Sequence, residues 1–205
     1  MQQYPSMHSA SAQALLPGFG DPVCGAQETF RAALQALAHP GRIFDAASGH
    51  GVPPGLSPAM TALLLTLVDG DTPLWLPPGT HPSVMQFLRF HCACPLVEQA
   101  ADARFVAVPA GFQAPALGEC QPGDAAYPDQ SATLLLDITS FSAGETLQLS
   151  GPGIATTQPL ALAGLPAGFW VQWRANQRRF PLGVDVLFTH GHQLCGLPRT
   201  THVEP

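Results

Sequence analysis

The chain has 205 residues and a formal net charge of −6, and at this length one domain buries about 70% of the surface that its unfolded chain exposes. Its eight basic side chains are scattered along the sequence, which argues against nucleic-acid binding because no basic stripe can follow a phosphate backbone. No apolar run approaches the ~20 residues of a membrane span, and the first 20 residues lack the basic start and apolar core of a secretion signal. The sequence therefore predicts a cytoplasmic protein without membrane contact.

The beginning of the chain indicates an arm followed by a helix. We expect residues 1–22 to form a flexible arm and residues 23–205 to form a single domain. Apolar side chains recur at helical spacing from about 26 to 38, and His39-Pro40-Gly41 ends the run. This pattern predicts an amphipathic surface helix.

A capping signal predicts the start of a second helix. Ser57 is a favourable N-cap, and Pro58 suits the first helical position. The following turns are apolar on nearly every side and end near Gly70, so this helix is predicted to be buried. A short strand at 73–76, a third helix at 81–90 and a strand at 104–108 follow.

The middle of the chain combines loop and strand signals. Residues 109–130 are rich in proline and glycine and predict a loop. The continuous apolar run at 132–138 is typical of a central strand that is covered on both faces. Residues 146–150 alternate as a strand and lead into Gly151-Pro152-Gly153, which lacks the third glycine and the lysine of known phosphate cradles and therefore predicts a turn.

The last third of the chain predicts a helix and a hairpin. Phe169, Trp170 and Trp173 recur at helical spacing and indicate core or interface anchors rather than a ligand cage. Two apolar runs at 184–189 and 193–197 flank a His-Gly-His turn, which predicts paired strands. Together these elements predict an α/β domain with a mixed sheet flanked by helices.

The cysteines do not indicate a disulfide framework or a cofactor. Their number is odd, and their spacing is uneven. Cys92 and Cys94 follow His91, and a second His/Cys group lies at 190–195, but neither group supplies the four ligands of a closed metal site. We therefore expect buried, unreactive thiols and turn histidines, with no metal and no iron–sulfur cluster.

Asp69 and Asp71 place two carboxylates between the second helix and the next strand. Two acids can contribute to a Mg²⁺ site, although Mg²⁺ usually also takes substrate phosphates. Asp-Gly-Asp is equally a helix stop whose side chains close a turn. The turn is the favoured interpretation, and the metal site is a weak alternative.

A polar string leaves the last predicted strand at Pro198. It contains Arg199, Thr200, Thr201 and His202, which offer one permanent cation, two hydroxyls and one imidazole.

Arg89 and His91 are added to this candidate set. Arg89 has the forked donors that clamp a carboxylate or a phosphoryl group, but the two side chains diverge if the helix continues past Phe90. The six residues are predicted to form an anion-binding edge or a partner-docking surface, and docking is favoured. On that hypothesis Arg199→Ala keeps the fold and loses complex assembly.

The composition favours association with another chain. Charged residues make up 11% of the sequence and apolar residues 46%, against roughly a quarter charged in a typical soluble protein. A homodimer or larger complex would cover apolar patches. The alternative is a lone domain in which alanine, glycine and proline inflate the apolar count.

Several sequence blocks, in order, resemble those of the PhnH family, a subunit of the bacterial carbon–phosphorus lyase system that degrades phosphonates. The blocks are Phe30-Arg31 with residues 39–41, then residues 64–76, 88–91, 95–97 and 151–154, and finally residues 180–205. The resemblance covers roughly residues 25–205. It implies a three-layer α/β/α fold similar to the large domain of pyridoxal-phosphate-dependent transferases.

The resemblance also bears on cofactors and partners. The chain contains no lysine, so neither a pyridoxal-phosphate aldimine nor a P-loop can form within it, and the likeness to those transferases would be architectural only. The family implies that iron–sulfur chemistry belongs to another subunit. It also implies other carbon–phosphorus lyase core subunits as partners, and a homodimer when the chain is isolated.

Two hypotheses of function follow, with a third behind them. The chain is either a structural subunit that completes the complex, or it contributes residues to the step in which a phosphonate displaces adenine from ATP to give a ribose 1-phosphonate 5-triphosphate. The sequence favours the structural role because it shows no nucleophile–base pair, no complete metal set and no nucleotide cradle. A free-standing small-molecule enzyme on the same fold is the third possibility.

Overall fold

The computed structural model describes residues 15–204. Its four α-helices are α1 Pro22–Ala38, α2 Pro58–Leu67, α3 Pro82–His91 and α4 Phe169–Gln177. Its nine strands are β1 Ile43–Asp45, β2 Leu74–Trp75, β3 Phe105–Val108, β4 Thr133–Asp137, β5 Thr146–Ser150, β6 Gln158–Ala161, β7 Asp185–His190, β8 Gln193–Leu197 and β9 His202–Glu204.

A mixed six-stranded sheet organises the domain, in the order β1-β8-β7-β4-β3-β2. Strands β2, β3, β4 and β7 run parallel, and β8 and β1 are antiparallel additions at one edge. The predicted central strand is β4, which pairs with β3 on one side and β7 on the other. The predicted α/β class with a mixed sheet is therefore confirmed.

Both faces of this sheet are buried, and side chains alternate between two cores. Leu134 and Leu136 of β4 point into one core, whereas Leu135 points into the other. The same alternation holds in β7, where Val186 and Leu187 face opposite sides. A sheet covered on both faces explains why β4 is continuously apolar.

Different layers cover the two faces. Helices α1, α2 and α3 pack on one face. The other face is covered by α4, by the loop at 109–130 and by a separate antiparallel sheet of order β6-β5-β9. The third layer thus differs from a purely helical one, because one short helix leaves room that a three-stranded sheet fills.

Three of the helices begin with the same local signal. Asp21, Ser57 and His81 are N-caps whose side chains accept hydrogen bonds from the first turn, and a proline follows each. The Ser57-Pro58 prediction is confirmed. Helix α1 begins at Pro22, four residues earlier than predicted, because the Asp21-Pro22 cap lies before the apolar periodicity.

The segment that precedes α1 packs on the core. Leu16 and Phe19 contact the core under the helical layer, and the Pro17 carbonyl accepts a hydrogen bond from the Gly51 amide at 2.8 Å. These contacts hold residues 16–19 against the domain, and the flexible arm predicted for residues 1–22 stays a prediction. Its first part, residues 1–14, lies outside the described residues.

Close backbone approach fixes α1 against the sheet. A Cβ added at Gly196 in β8 would lie 2.5 Å from the carbonyl group of Ala36. Only glycine permits this distance. Gly153 has a similar role, since its Cβ would lie 2.1 Å from the Ala38 carbonyl oxygen, so the glycine-proline-glycine segment is a packing turn.

Candidate functional site

Arg199 lies at the junction of four chain segments. Its side chain forms an ion pair with Asp185, with 2.6 Å between Nη2 and Oδ2, and its Nε donates to Asp185 Oδ1 at 3.1 Å. Nη1 donates to the carbonyls of Pro128 and Pro181. Nη2 also donates to the hydroxyl of Ser131.

These contacts use all five N–H donors of the guanidinium. The side chain of Arg199 is 12% exposed, and its backbone amide also donates to Asp185 Oδ1 at 2.7 Å. Arg199 therefore ties the start of β7 to the loop at 128–131 and to the segment after β8. It has no donor left for a ligand or a partner.

Arg89 and His91 lie elsewhere, on α3. The helix continues through His91, so the two side chains diverge. Arg89 is exposed beside a surface cavity of about 460 Å³ with Met85, Gln86 and Phe90. His91 Nε2 is 2.9 Å from the carbonyl of Leu16. Neither residue shares a hydrogen bond or cavity with Arg199 within residues 15–204, so the structure does not unite the predicted six-residue set.

Thr201 and His202 turn away from Arg199 toward α4. They line a cleft of about 230 Å³ whose other wall carries Arg174, Gln177 and Arg178. The Thr201 hydroxyl is buried and has no hydrogen-bond partner. Thr200 is half-buried and does not line this cleft. Thr201 and His202 belong to the predicted set, whereas Arg174 and Arg178 do not, because more than 20 residues separate them from Thr201 along the chain.

Asp69 and Asp71 form a turn. Asp69 Oδ1 accepts from the Asp71 amide at 3.1 Å and from the Thr72 hydroxyl at 2.6 Å. These hydrogen bonds lower the pKa of Asp69, with the Thr72 hydroxyl as the largest cause. Residues 15–204 contain no group of three or more His, Cys, Asp or Glu side chains placed to hold a metal ion.

Asp137 is a buried carboxyl that the sequence analysis did not single out. It ends β4, and it accepts hydrogen bonds from the Ser57 amide at 3.1 Å, from the Ser57 hydroxyl and from the Thr189 hydroxyl. Burial raises the pKa of Asp137, although the hydroxyl donors and nearby His190 oppose that shift. Its signal in the sequence is an acid at the end of an otherwise apolar strand.

The Asp137 contacts have a clear structural role. Ser57 is the N-cap of α2, so the carboxyl joins that helix to the carboxyl ends of β4 and β7. The partially positive N-terminus of a helix also favours a nearby carboxylate. Open α/β sheets commonly bind ligands at this edge, but here the two hydroxyl groups and the amide already occupy the carboxyl oxygens.

A larger cavity of about 720 Å³ lies between β2, the loop at 112–119 and α4. Its walls include Trp75, Phe112 and Phe169. The single ionisable side chain in its described lining is Glu119, which accepts a hydrogen bond from the Ala116 amide. This cavity is suited to apolar groups, since it offers no cation for a phosphate.

Four cysteines are buried, and Cys24 is exposed. Burial raises the pKa of Cys92 and of Cys195 to about 12 and that of Cys120 to about 11. Burial also raises the pKa of Cys94. The thiolate is the nucleophilic form of cysteine. A raised pKa keeps these four thiols protonated, so they are expected to be unreactive groups of the packed core.

Comparison with known proteins finds similarity along most of the chain. The family model for "Bacterial phosphonate metabolism protein (PhnH)" matches residues 17–204. The chain is 34% identical over 197 residues to the alpha-D-ribose 1-methylphosphonate 5-triphosphate synthase subunit PhnH of Rhizobium meliloti, and the match covers 96% of this chain and 98% of that protein. It is also 34% identical over 179 residues to the putative C-P lyase subunit protein HtxG of Stutzerimonas stutzeri, covering 86% and 85% of the two chains.

Proposed function

Because this chain belongs to the PhnH family of bacterial phosphonate metabolism proteins, we propose that it is a subunit of a carbon–phosphorus lyase complex that forms ribose 1-methylphosphonate 5-triphosphate. Its main role is assembly. The observation that carries this proposal is the match across nearly the whole chain to two proteins that are both described as subunits. Each match covers a similar share of this chain and of the relative, which supports a shared role for the entire domain.

The chemistry of the described residues supports assembly over catalysis. Arg199 is committed to internal hydrogen bonds, and the Asp137 carboxyl is held by Ser57 and Thr189. The Ser83 hydroxyl is 2.7 Å from His81 Nδ1 beside a surface cavity, but His81 also caps the start of α3, and no carboxylate is hydrogen-bonded to its ring among residues 15–204. A contribution to the chemical step would then require side chains from a partner subunit to complete the site.

The surface of α3 is the best candidate for docking another subunit. Phe90 is 65% exposed and Met85 36% exposed, and Arg89 lies between them beside the 460 Å³ cavity. Arg89 makes no ion pair within the described chain. An apolar surface with a central arginine suits a partner that offers an apolar side chain and a carboxylate, because Arg and aromatic residues commonly anchor interfaces.

The outer face of α1 supports the proposed homodimer of the isolated chain. Val23, Phe30 and Leu34 lie along one stripe with exposures of 65%, 47% and 50%. Glu28 and Arg31 line a surface cavity on one side of this stripe. In a two-fold interface each acid can meet the arginine of the other copy, so the face is complementary to itself. Light scattering that shows only a 21.5 kDa species at micromolar concentration would contradict the dimer.

The fold relationship and the location of the chain are also proposed. We propose an architectural relation to the large domain of pyridoxal-phosphate-dependent transferases and a cytoplasmic location. The absence of lysine means that the related fold would work without an aldimine. No helix within residues 15–204 combines the length and the apolar character needed to cross a bilayer.

The test is co-purification of the tagged full chain with the other proteins of its phosphonate-degradation system. We expect a stoichiometric complex with the wild-type chain and loss of that complex with Arg89→Glu. Arg179→Glu is the matched control, since Arg179 is an exposed arginine that follows α4 on the opposite face of the sheet. A wild-type chain that elutes alone would overturn the subunit role and favour the free-standing enzyme. Equal loss with both variants would overturn the α3 docking surface.

A further inference from the structure

We propose that the cleft between α4 and β9 is a binding site for a tetrahedral oxyanion of the phosphate or phosphonate class. Arg174 and Arg178 from α4 form one wall, and Thr201 and His202 form the other. The cleft volume of about 230 Å³ equals about eight times the share of one liquid water, which is about 30 Å³. A phosphoryl or phosphonyl group with a few waters fits this space.

The first support is an unneutralised pair of cations. Arg174 and Arg178 are one helical turn apart, and like charges at this spacing repel. Neither makes an ion pair within residues 15–204, where the Arg199–Asp185 pair is the one found. An oxyanion bound between them would remove the repulsion and accept forked hydrogen bonds from both guanidinium groups.

The second support is the inner wall, which Thr201 holds in place. Its amide donates to the Pro198 carbonyl, and its carbonyl accepts from the Trp173 indole. The Thr201 side chain is fully buried, so a ligand in the cleft does not reach its hydroxyl. The groups that a ligand can contact include those on Arg174, Arg178 and His202.

Two features oppose an anion in this cleft. Glu204 also lines it, and the C-terminus of α4 points its carbonyls toward the same end. The carbonyls of Arg174, Asn176 and Gln177 already accept hydrogen bonds from the following turn, which weakens the second effect. The charges of the two arginines and the one glutamate in the lining sum to +1.

His202 and Gln177 add two polar groups that can bind the oxyanion. Their nitrogen atoms are hydrogen-bonded at 3.5 Å across the cleft, which already joins α4 to the small sheet. A ligand placed between α4 and β9 would replace this long contact with hydrogen bonds of its own to both groups. This site goes beyond the proposed assembly role, and it can be tested on the isolated chain.

The experiment titrates the full-length chain with inorganic phosphate and, separately, with methylphosphonate at low ionic strength, using calorimetry. We expect one site per chain. Arg174→Gln and Arg178→Gln should each weaken binding about tenfold or more, because each removes charged hydrogen bonds. Arg179→Gln is the control, since this neighbouring exposed arginine does not line the cleft, and its affinity should stay within about twofold of the wild type.

His202→Ala removes an exposed imidazole from the cleft wall, so binding should weaken about fivefold. Thr201→Val removes a hydroxyl that lies behind this wall, so binding should stay within about twofold of the wild type while the melting temperature is unchanged or higher. Tighter binding of methylphosphonate than of phosphate would identify a phosphonyl ligand, and the reverse would identify a phosphate. Both results support the site.

Three outcomes would overturn the proposal. In the first, Arg179→Gln weakens binding as much as Arg174→Gln, which indicates a general positive surface. In the second, the Arg174 and Arg178 variants bind both probes as tightly as the wild type. In the third, neither probe binds at millimolar concentration but a glutamate-rich peptide does, which indicates that the cleft docks a protein carboxylate.

Discussion

The Arg199–Asp185 pair provides the sharpest test of how this fold is held together. Replacing Arg199 with methionine keeps much of the side-chain volume but removes five hydrogen bonds from the junction of four segments. The expected result is a loss of stability. The earlier hypothesis of a docking arginine predicts instead an intact fold that fails to assemble.

The size of the loss follows from burial. Breaking a fully buried ion pair costs about 3–5 kcal/mol, mostly because the remaining charge is left without a partner. Asp185 is 21% exposed, so water can solvate part of its carboxylate after the substitution. We therefore expect the free energy of unfolding to fall by about 2–4 kcal/mol, which corresponds to a drop in melting temperature of about 10 °C for a chain of this size.

Urea unfolding of the wild type, Arg199→Met, Asp185→Asn and the double variant measures this effect. The double variant should be more stable than the sum of the single losses predicts, because it leaves no unpaired charge. Arg42→Met is the control, since this exposed arginine should change stability by less than about 0.5 kcal/mol. An Arg199→Met loss below about 1 kcal/mol, together with failed co-purification, would refute the structural role and restore the docking hypothesis.

Two further predictions concern titratable groups. Because burial raises the pKa of Asp137, its contribution to stability is present below the unfolded pKa of about 3.9 and is lost as pH rises through the folded pKa. The free energy of unfolding of the wild type minus that of Asp137→Asn should thus fall as the pH rises above about 4, by at most ~1.4 kcal/mol per pH unit, and a rising difference in urea titrations would contradict this. A thiol reagent at pH 8 should label only Cys24 in the native chain and all five cysteines in urea, and rapid native labelling of Cys92 would show that the core thiols are accessible.

Much of the fold could be predicted because local signals decided it. The Ser57-Pro58 cap, the apolar run of β4 and the hairpin of β7 and β8 all lie in short stretches of sequence. The hairpin turn is fixed by the His190–Gln193 pairing, with Gly191 at a φ of +57°. In contrast, β1, β6 and β9 are three- or four-residue strands that exist because a partner strand is already in place.

The candidate site was harder to predict because it depends on distant contacts. The hairpin register places Val186 opposite Leu197, so Asp185 and Arg199 lie close together just beyond the paired residues. That register was available from the sequence and could have identified the ion pair. Nothing local, however, brings Arg174 beside Thr201, because strands β7 and β8 lie between α4 and β9 along the chain.

The close contact of Gly196 with α1 has a consequence for the order of folding. Helix α1 lies near the start of the described chain, but the strand against which its backbone rests is not made until residue 197. Its docking thus closes a loop of more than 150 residues, and contacts of such high sequence separation slow folding. During synthesis the apolar side of α1 stays uncovered until β8 has been made. We therefore expect this helix to be the segment most exposed to chaperones and to mispairing on the ribosome.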